Sequence, residues 1–404
     1  MMMFRLAIDG GLPTRTAHWP SWPHFDAEQI ALVTGVLESG RVNFWTGPEC
    51  RAFEDEYRAY AAAGARAVSV MNGTVALELA LRSLGIGSGH EVVVACRTFI
   101  ASASAVVAVG ATPVLCDVDR VTWTASADTI SAVLSDATRA VIVVHLGGMP
   151  CDMDPIIDLC RAKNLLLVED CAQAHGARYR GRAVGSMGDA AAFSFCQDKI
   201  ITTGGEGGLV LYKDDGPAAF AASYRDHGKD LIAVAQPGSR EFRYVHERLG
   251  TNFRMTEIQA VLGRVQLRRL DDSVVSRRRN AKQLATALEA IDGITVNMPP
   301  AWAYHSYYKL DAELDIDRLS GSWTRGRLLD ALAAEGVPVG SGSCPDLGHE
   351  KAFSGVRGSD DSRPVAADIG RRSMQFQVHP TLSEEHMNDY ATAVHKVLEV
   401  AVSS

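Results

Sequence analysis

The chain has no C-x-x-C pair among its eight cysteines, no block of Lys or Arg, no apolar run of membrane-spanning length and no G-x-G-x-x-G after an early strand. Each absence removes a class. Without paired cysteines, Cys50, Cys96, Cys116, Cys151, Cys160, Cys171, Cys196 and Cys344 form neither a zinc ribbon nor a thioredoxin-type motif, and they read as buried thiols of a reduced, cytoplasmic protein. Without a concentrated basic surface on a chain of net charge −8 and pI near 5.9, nucleic acid is not an expected partner. A basic pocket for a small anion remains compatible with that charge. No stretch is long and apolar enough for a membrane partner. The opening MMMFRLAIDGG reaches Asp9 and Gly10 too soon for a signal peptide. A dinucleotide-binding dehydrogenase would need the missing glycine pattern, and the first strand is followed instead by Asn72-Gly73-Thr74. There is no internal repeat and no low-complexity tract.

What is present is the composition of a globular protein, 47% apolar and 22% charged, in 404 residues that suit a large domain plus a smaller one. Short β-rich runs alternate with helical patterns from about Ala65 to Tyr212. The candidate strands are Arg66–Val70, Glu91–Ala95, Thr112–Asp117, Ala140–His145, Leu165–Glu169, Ala190–Phe195 and Gly208–Tyr212. Several are apolar along their whole length, as strands covered on both faces are. Helical stretches such as Thr74–Leu84, Ala101–Val109 and Thr129–Leu134 fall between them. This rhythm predicts an α/β fold with a mainly parallel sheet wrapped by helices. An irregular polar region, Asp226–Leu249, precedes a long helical pattern from Thr256 to about Leu288. Gly293 and Pro299–Pro300 then break the chain. The expected division is a large domain over residues 1–290 and a small C-terminal α+β domain over 291–404. The Gly-, Ser- and Asp-rich stretch Ser354–Pro364 reads as a loop within the latter.

Four segments far apart in the chain carry chemistry. Phe193-Ser194-Phe195-Cys196-Gln197-Asp198-Lys199 runs from a strand to a lysine, and Gly204–Gly208 follows with four glycines in five residues. A lone lysine is usually a solvated surface residue. One near a strand's C-terminal edge, before a turn that lets backbone approach a ligand, is a candidate nucleophile. Asp170 follows the apolar run Leu165–Val168, where a carboxylate can pair with a ring cation, although Asp there is more often a cap or turn residue. Glu169 competes for that role, but strand alternation points it to the other face. Gln173 and His175 follow, each either a ligand contact or a hydrogen-bonded structural group. Met71-Asn72-Gly73-Thr74 opens a helix, an ordinary N-cap or a phosphate site. Cys96-Arg97-Thr98-Phe99 follows another strand, with Phe99 either in the core or stacked on a ring. Together they supply an amine to capture an aldehyde, a carboxylate to keep a pyridine nitrogen protonated and donors for a phosphate. Those are the needs of pyridoxal 5'-phosphate (PLP).

The stretches NGTVALELAL, RTFIASASAVV, VEDCAQAHGA, FSFCQDKIITTGGEGG and GTNFRMTEIQAVLGRVQL resemble the DegT–StrS family of PLP-dependent sugar aminotransferases, a branch of the aspartate-aminotransferase fold (fold type I). VNFWTGPE and VHPTLSEEHM are similar to the same family, so the resemblance spans most of the chain in the expected order. It implies a mixed, mostly parallel seven-stranded sheet. It implies that Lys199 bonds covalently to the cofactor and shuttles the proton, that Asp170 pairs with the pyridine nitrogen, and that Gln173 meets the ring oxygen while Phe99 stacks on the ring. Gly73, Thr74 and Ser194 would bind the phosphate, and Asn252 would reach the phosphate of a neighbouring subunit's cofactor, which implies a homodimer with shared active sites. No metal is implied. The implied reaction passes an amino group from L-glutamate, by way of pyridoxamine phosphate, to a keto sugar, glutamate first and acceptor second. A nucleotide-linked sugar is the leading acceptor. A cyclitol aminotransferase or an aminoshikimate-pathway synthase shares every cofactor motif. A non-catalytic homologue would be expected to lack Lys199 or Asp170, and both are present. Two departures stand out. Cys196 replaces the His of many relatives, and Lys199 is retained where the dehydratase branch carries His.

Overall fold

The computed structural model describes residues 5–61, 64–236, 242–354 and 362–403. Its main sheet contains all seven expected strands: β1 Arg66–Val70, β2 Glu91–Ala95, β3 Thr112–Cys116, β4 Thr138–Val144, β5 Leu166–Asp170, β6 Ala190–Ser194 and β7 Gly208–Tyr212. The order is β1-β7-β6-β5-β4-β2-β3. The pairs from β3 to β6 are parallel, and β7 runs antiparallel to both β6 and β1.

Period-two alternation divides the strands between two hydrophobic layers. Ala190, Ala192, Val210 and Tyr212 join the core that contains Leu77, Val106 and Ile156, whereas Ala191, Phe193, Leu209 and Leu211 join Phe53, Tyr57 and Leu267 on the other face. Both faces are therefore covered, which explains why β2 and β7 are buried at every position. The parallel strands end at one edge. That edge carries the turn after β1, the segment after β2, Asp170 at the end of β5 and Ser194 at the end of β6.

A second, antiparallel sheet consists of β8 Ile294–Val296, β9 Leu310–Leu314, β10 Val339–Gly340 and β11 Ser373–Phe376, in the order β8-β9-β11-β10. Its core takes in Leu328 and Val394 from the helices Arg325–Ala334 and Glu384–Ser403, and also Leu6 from the start of the chain. The helix Leu270–Glu289 serves both cores. Leu270 and Val274 pack with the main sheet, and Ala281, Leu284 and Leu288 pack with the second.

The pattern expected as one helix from Thr256 is two, Glu257–Arg268 and Leu270–Glu289, which meet at Arg269; that side chain bonds Asp26 at 2.7 Å. Among its described residues, the polar region after Asp226 holds one short helix, Leu231–Ala235. Of the expected loop at Ser354–Pro364, residues 355–361 lie outside the described residues, and Pro364 opens the helix Pro364–Arg372. All eight cysteines are free, and six of them are buried. Among the described residues no helix is long and apolar enough to cross a membrane.

Candidate active site

At the strand edge lies a cleft of about 640 Å³. It brings together seven of the eight expected site residues, Gly73, Thr74, Phe99, Asp170, Gln173, Ser194 and Lys199. The eighth, Asn252, is exposed and not among the residues that line it.

One end of the cleft is the start of the helix Gly73–Ser83. Asn72, not Thr74, is the N-cap: its side chain accepts from the Val75 N–H at 3.0 Å. Thr74 is thus left with a hydroxyl beside the unpaired N–H groups of the first turn, an arrangement suited to an anion. Two glycines allow the turn to approach the sheet. A Cβ on Gly73 would lie 2.5 Å from Ser194 Cβ, and one on Gly208 would lie 2.3 Å from the Asn72 carbonyl oxygen. Ser194 completes this end with its hydroxyl, which accepts from the Cys196 N–H at 3.3 Å.

Alternation at the end of β5 sends the two adjacent carboxylates opposite ways, as expected. Asp170 faces the cleft and is 5% exposed. Its oxygens accept from Ser102 Oγ at 2.8 Å and from the Ala172 N–H at 3.1 Å. Burial holds its carboxyl above the usual range, opposed by those two bonds and by the charge of Lys199. Glu169 lies fully buried behind the site and accepts from His145 Nε2 and from the backbone N–H groups of Gly185, Met187 and Gly188. Gln173 spends its side-chain oxygen on the Gly147 N–H at 2.8 Å, so the group it can offer a ligand is the amide N–H₂. Phe99, for which core packing was the ordinary expectation, is 64% exposed at the cleft.

Lys199 is not at the strand's end but in a turn five residues beyond Ser194. Trp22 Nε1 donates to the Lys199 carbonyl at 2.8 Å and anchors the turn. The Lys199 ammonium lies 3.5 Å from Asp198 and 5.0 Å from the centre of the Tyr308 ring, and the Tyr308 hydroxyl donates to Asp198.

The sequence profile of the DegT/DnrJ/EryC1/StrS aminotransferase family matches residues 23–395. The chain belongs to that family. An L-glutamine:2-deoxy-scyllo-inosose aminotransferase of Streptoalloteichus tenebrarius is 36% identical over 423 residues, covering 98% of each chain. A GDP-perosamine synthase of Caulobacter vibrioides is 47% identical over 213 residues, covering 53% of this chain and 55% of its own. Among solved structures, the aminotransferase from Psychrobacter cryohalolentis superposes with a TM-score of 0.91 at 44% identity, covering 95% of this chain and all of that one. The protein is an aminotransferase, and its cofactor is PLP.

Several features of the aminotransferase cleft were not singled out from the sequence. Thr98 and Ser102 lie inside the segment that carries Phe99, but hydroxyls at a helix start ordinarily serve as caps. Gly342, Ser343 and Cys344 also line the cleft, beside Arg97, with no motif to mark them. Tyr308, from the stretch between Tyr304 and Lys309, lines it as well. A further trio, His145, Glu169 and Cys171, brings possible ligand atoms within 4.8 Å of one another. Their bonds are directed to the protein: His145 Nδ1 accepts from the Cys151 N–H at 3.1 Å and its Nε2 donates to Glu169 at 3.0 Å.

His175 is structural. Its Nε2 donates to the Ser194 carbonyl and its Nδ1 accepts from Tyr57, each at 2.8 Å. Burial pushes its pKa from 6.5 down to about 4. Above 6.5 the ring is neutral whether the chain is folded or not. As the pH falls below that value the unfolded chain takes up a proton that the folded one refuses until about 4, so stability is lost across this window. The loss between pH 7 and 5 amounts to about 2 kcal/mol from this residue. Urea unfolding at the two pH values should show it, and His175→Gln should flatten the slope. An unchanged slope would exclude His175 as the source.

Proposed function

We propose that this aminotransferase moves an amino group from L-glutamate to the ketone of a sugar, one linked to a nucleotide, in the making of an amino sugar. The observation that carries this reading is the convergence of Lys199, Asp170 and the turn at Gly73 in one cleft that also carries further polar groups. Asp198, Glu206, Tyr308 and Ser343 line it beyond the cofactor groups. Hydroxyls and carboxylates can hydrogen-bond the hydroxyls of a sugar acceptor.

PLP, when bound, supplies an aldehyde for the donor's amine and a ring that withdraws electrons from it. The chain's own groups then have separable tasks. Gly73, Thr74 and Ser194 would hold the phosphate. Asp170 would hold the proton on the ring nitrogen, Gln173 would donate to the ring oxygen, and Phe99 would pack on the ring. Lys199 would supply the amine that bonds the aldehyde and, when free, the base that moves the substrate proton. Asn252, exposed and outside its own cleft, fits a role in the site of a second copy, so the active form is a homodimer, here placed in the cytoplasm. Sedimentation at the monomer mass would overturn the dimer.

Relatives named for 2-deoxy-scyllo-inosose align with 97–98% of this chain at 36% identity. That coverage makes a cyclitol ketone the second reading of the acceptor. The name of those relatives also makes L-glutamine the competing donor. The test is the visible absorption of the PLP-loaded enzyme with L-glutamate, then with L-glutamine, then with each class of ketone. Loss of the yellow band with glutamate and its return with a nucleotide-linked keto sugar is expected. Return only with a deoxy-inosose would move the enzyme to the cyclitol group, and a band indifferent to both amino acids would overturn the donor assignment.

A further inference from the structure

Behind the cleft, two buried hydroxyls form a chain that ends on Asp170. Ser102 Oγ lies 2.8 Å from Asp170 Oδ2, and Thr98 Oγ1 lies 2.9 Å from Ser102 Oγ. Thr98 and Ser102 are each 1% exposed. Thr98 lies in the bend after β2 and Ser102 is the second residue of the helix Ala101–Ala108, so the chain folds one hydroxyl back onto the other where the helix begins.

The direction of the chain follows from counting protons. A carboxylate only accepts, so the proton between Ser102 and Asp170 belongs to Ser102. A serine hydroxyl has one proton, so the bond between Thr98 and Ser102 must carry the proton of Thr98. Asp170 Oδ1 accepts separately from the Ala172 N–H at 3.1 Å. Each oxygen is thereby tied on the protein side, and the orientation of the carboxylate towards the cleft is set by both bonds.

We infer that Thr98 and Ser102 are positioning residues that aim Asp170 and keep its carboxylate charged, and so set how strongly the cofactor's ring nitrogen is held. This rests on the proposed pairing of Asp170 with that nitrogen. The charged and titratable groups facing Asp170 are Lys199, His145 and the Cys171 thiol, and burial works against its charge. Among the influences that oppose burial, the bond from Ser102 is the largest. Two bonds in series also polarise one another, so the outer hydroxyl strengthens the inner bond.

The alternative is that both hydroxyls merely satisfy each other at a helix start. The two roles separate when the ring nitrogen is varied. Cofactor-free full-length enzyme is titrated with PLP and with its deaza analogue, in which a C–H replaces the ring nitrogen. Ser102→Ala should weaken PLP binding about tenfold and change binding of the analogue less than about twofold, because a hydrogen bond to a charged group is lost only where that charge is used. Thr98→Val should show the same selectivity with a smaller loss, and it reads the chain from its outer end should Ser102→Ala fold poorly. An equal loss for both ligands, or none for either, overturns the inference. Asp170→Ala is the control for the pairing itself. It should abolish the preference for PLP over the analogue, and if it does not, the assignment of Asp170 falls with it. Should Asp170→Ala lose the preference while Ser102→Ala keeps it, only the positioning role is lost.

Discussion

Lys199→Ala is expected to abolish transamination, with turnover reduced by at least about 10⁴-fold, and to leave the fold intact. The size follows from two losses at once, the covalent anchor for the cofactor and the base that moves the substrate proton. The intact fold follows from how little the amine contributes to structure. Its contacts are an ion pair at 3.5 Å with Asp198, whose side chain is about half exposed, and the Tyr308 ring 5.0 Å away. Pairs of that kind contribute less than about 1 kcal/mol. The turn itself is held by backbone, through Trp22 Nε1 and through the Lys199 N–H to the Cys196 carbonyl at 3.1 Å, and neither bond needs the side chain. The check is a pair of measurements on one preparation: single-turnover conversion of glutamate to 2-oxoglutarate, and the urea midpoint without cofactor. Normal turnover by the variant would refute the mechanism.

Glu169→Gln should be the more damaging change for stability, at about 3 kcal/mol or more, although it alters one atom and lies outside the cleft. Glu169 Oε1 accepts from Met187 and Gly188, each at 2.7 Å, and Oε2 accepts from Gly185 at 2.7 Å and from His145 at 3.0 Å. An amide offers one oxygen, so its nitrogen must face donors in either orientation. Turning the imidazole over does not help, because His145 Nδ1 is needed by the Cys151 N–H. A donor is therefore left buried against another donor. Burial raises the Glu169 carboxyl, but His145 and the amides of Gly185 and Gly188 outweigh it and hold the carboxyl below its usual 4.5. Its stabilisation is present above that value and is lost as the pH falls through the lower folded pKa, so in the wild type the contribution is complete at neutral pH. Urea titration at pH 7 measures it, and a midpoint equal to the wild type would show that the network does not need the charge. Because the carbonyl of Asp170 accepts from the His145 N–H at 3.1 Å, some weakening of cofactor binding should accompany the loss.

Much of this was legible in the chain because the signals are local. Unbroken apolar runs such as Val141–Val144 announce strands covered on both faces, and all seven were located within two residues of their ends. Alternation by itself sent Asp170 and Glu169 to opposite sides, since neighbouring residues of a strand cannot share a face. The helix start at Asn72-Gly73-Thr74 was legible, yet which residue caps it was not, because Asn and Thr two positions apart are both good caps and only the structure shows that Asn72 is the one.

What the chain determined by itself was the pattern of strands, the set of chemically competent residues and, through motifs spread from Asn72 to Gly208, the cofactor they suit. Those properties depend on residue type and on spacings of a few positions. Tertiary structure decided which hydroxyl touches Asp170, that His175 is a support and not a ligand, that Phe99 is open to the cleft, and that residues 342–344 join its lining. Each of these is a contact between segments tens to hundreds of residues apart. No local periodicity encodes such a contact, because it depends on how two cores, joined through the helix Leu270–Glu289, are packed against one another.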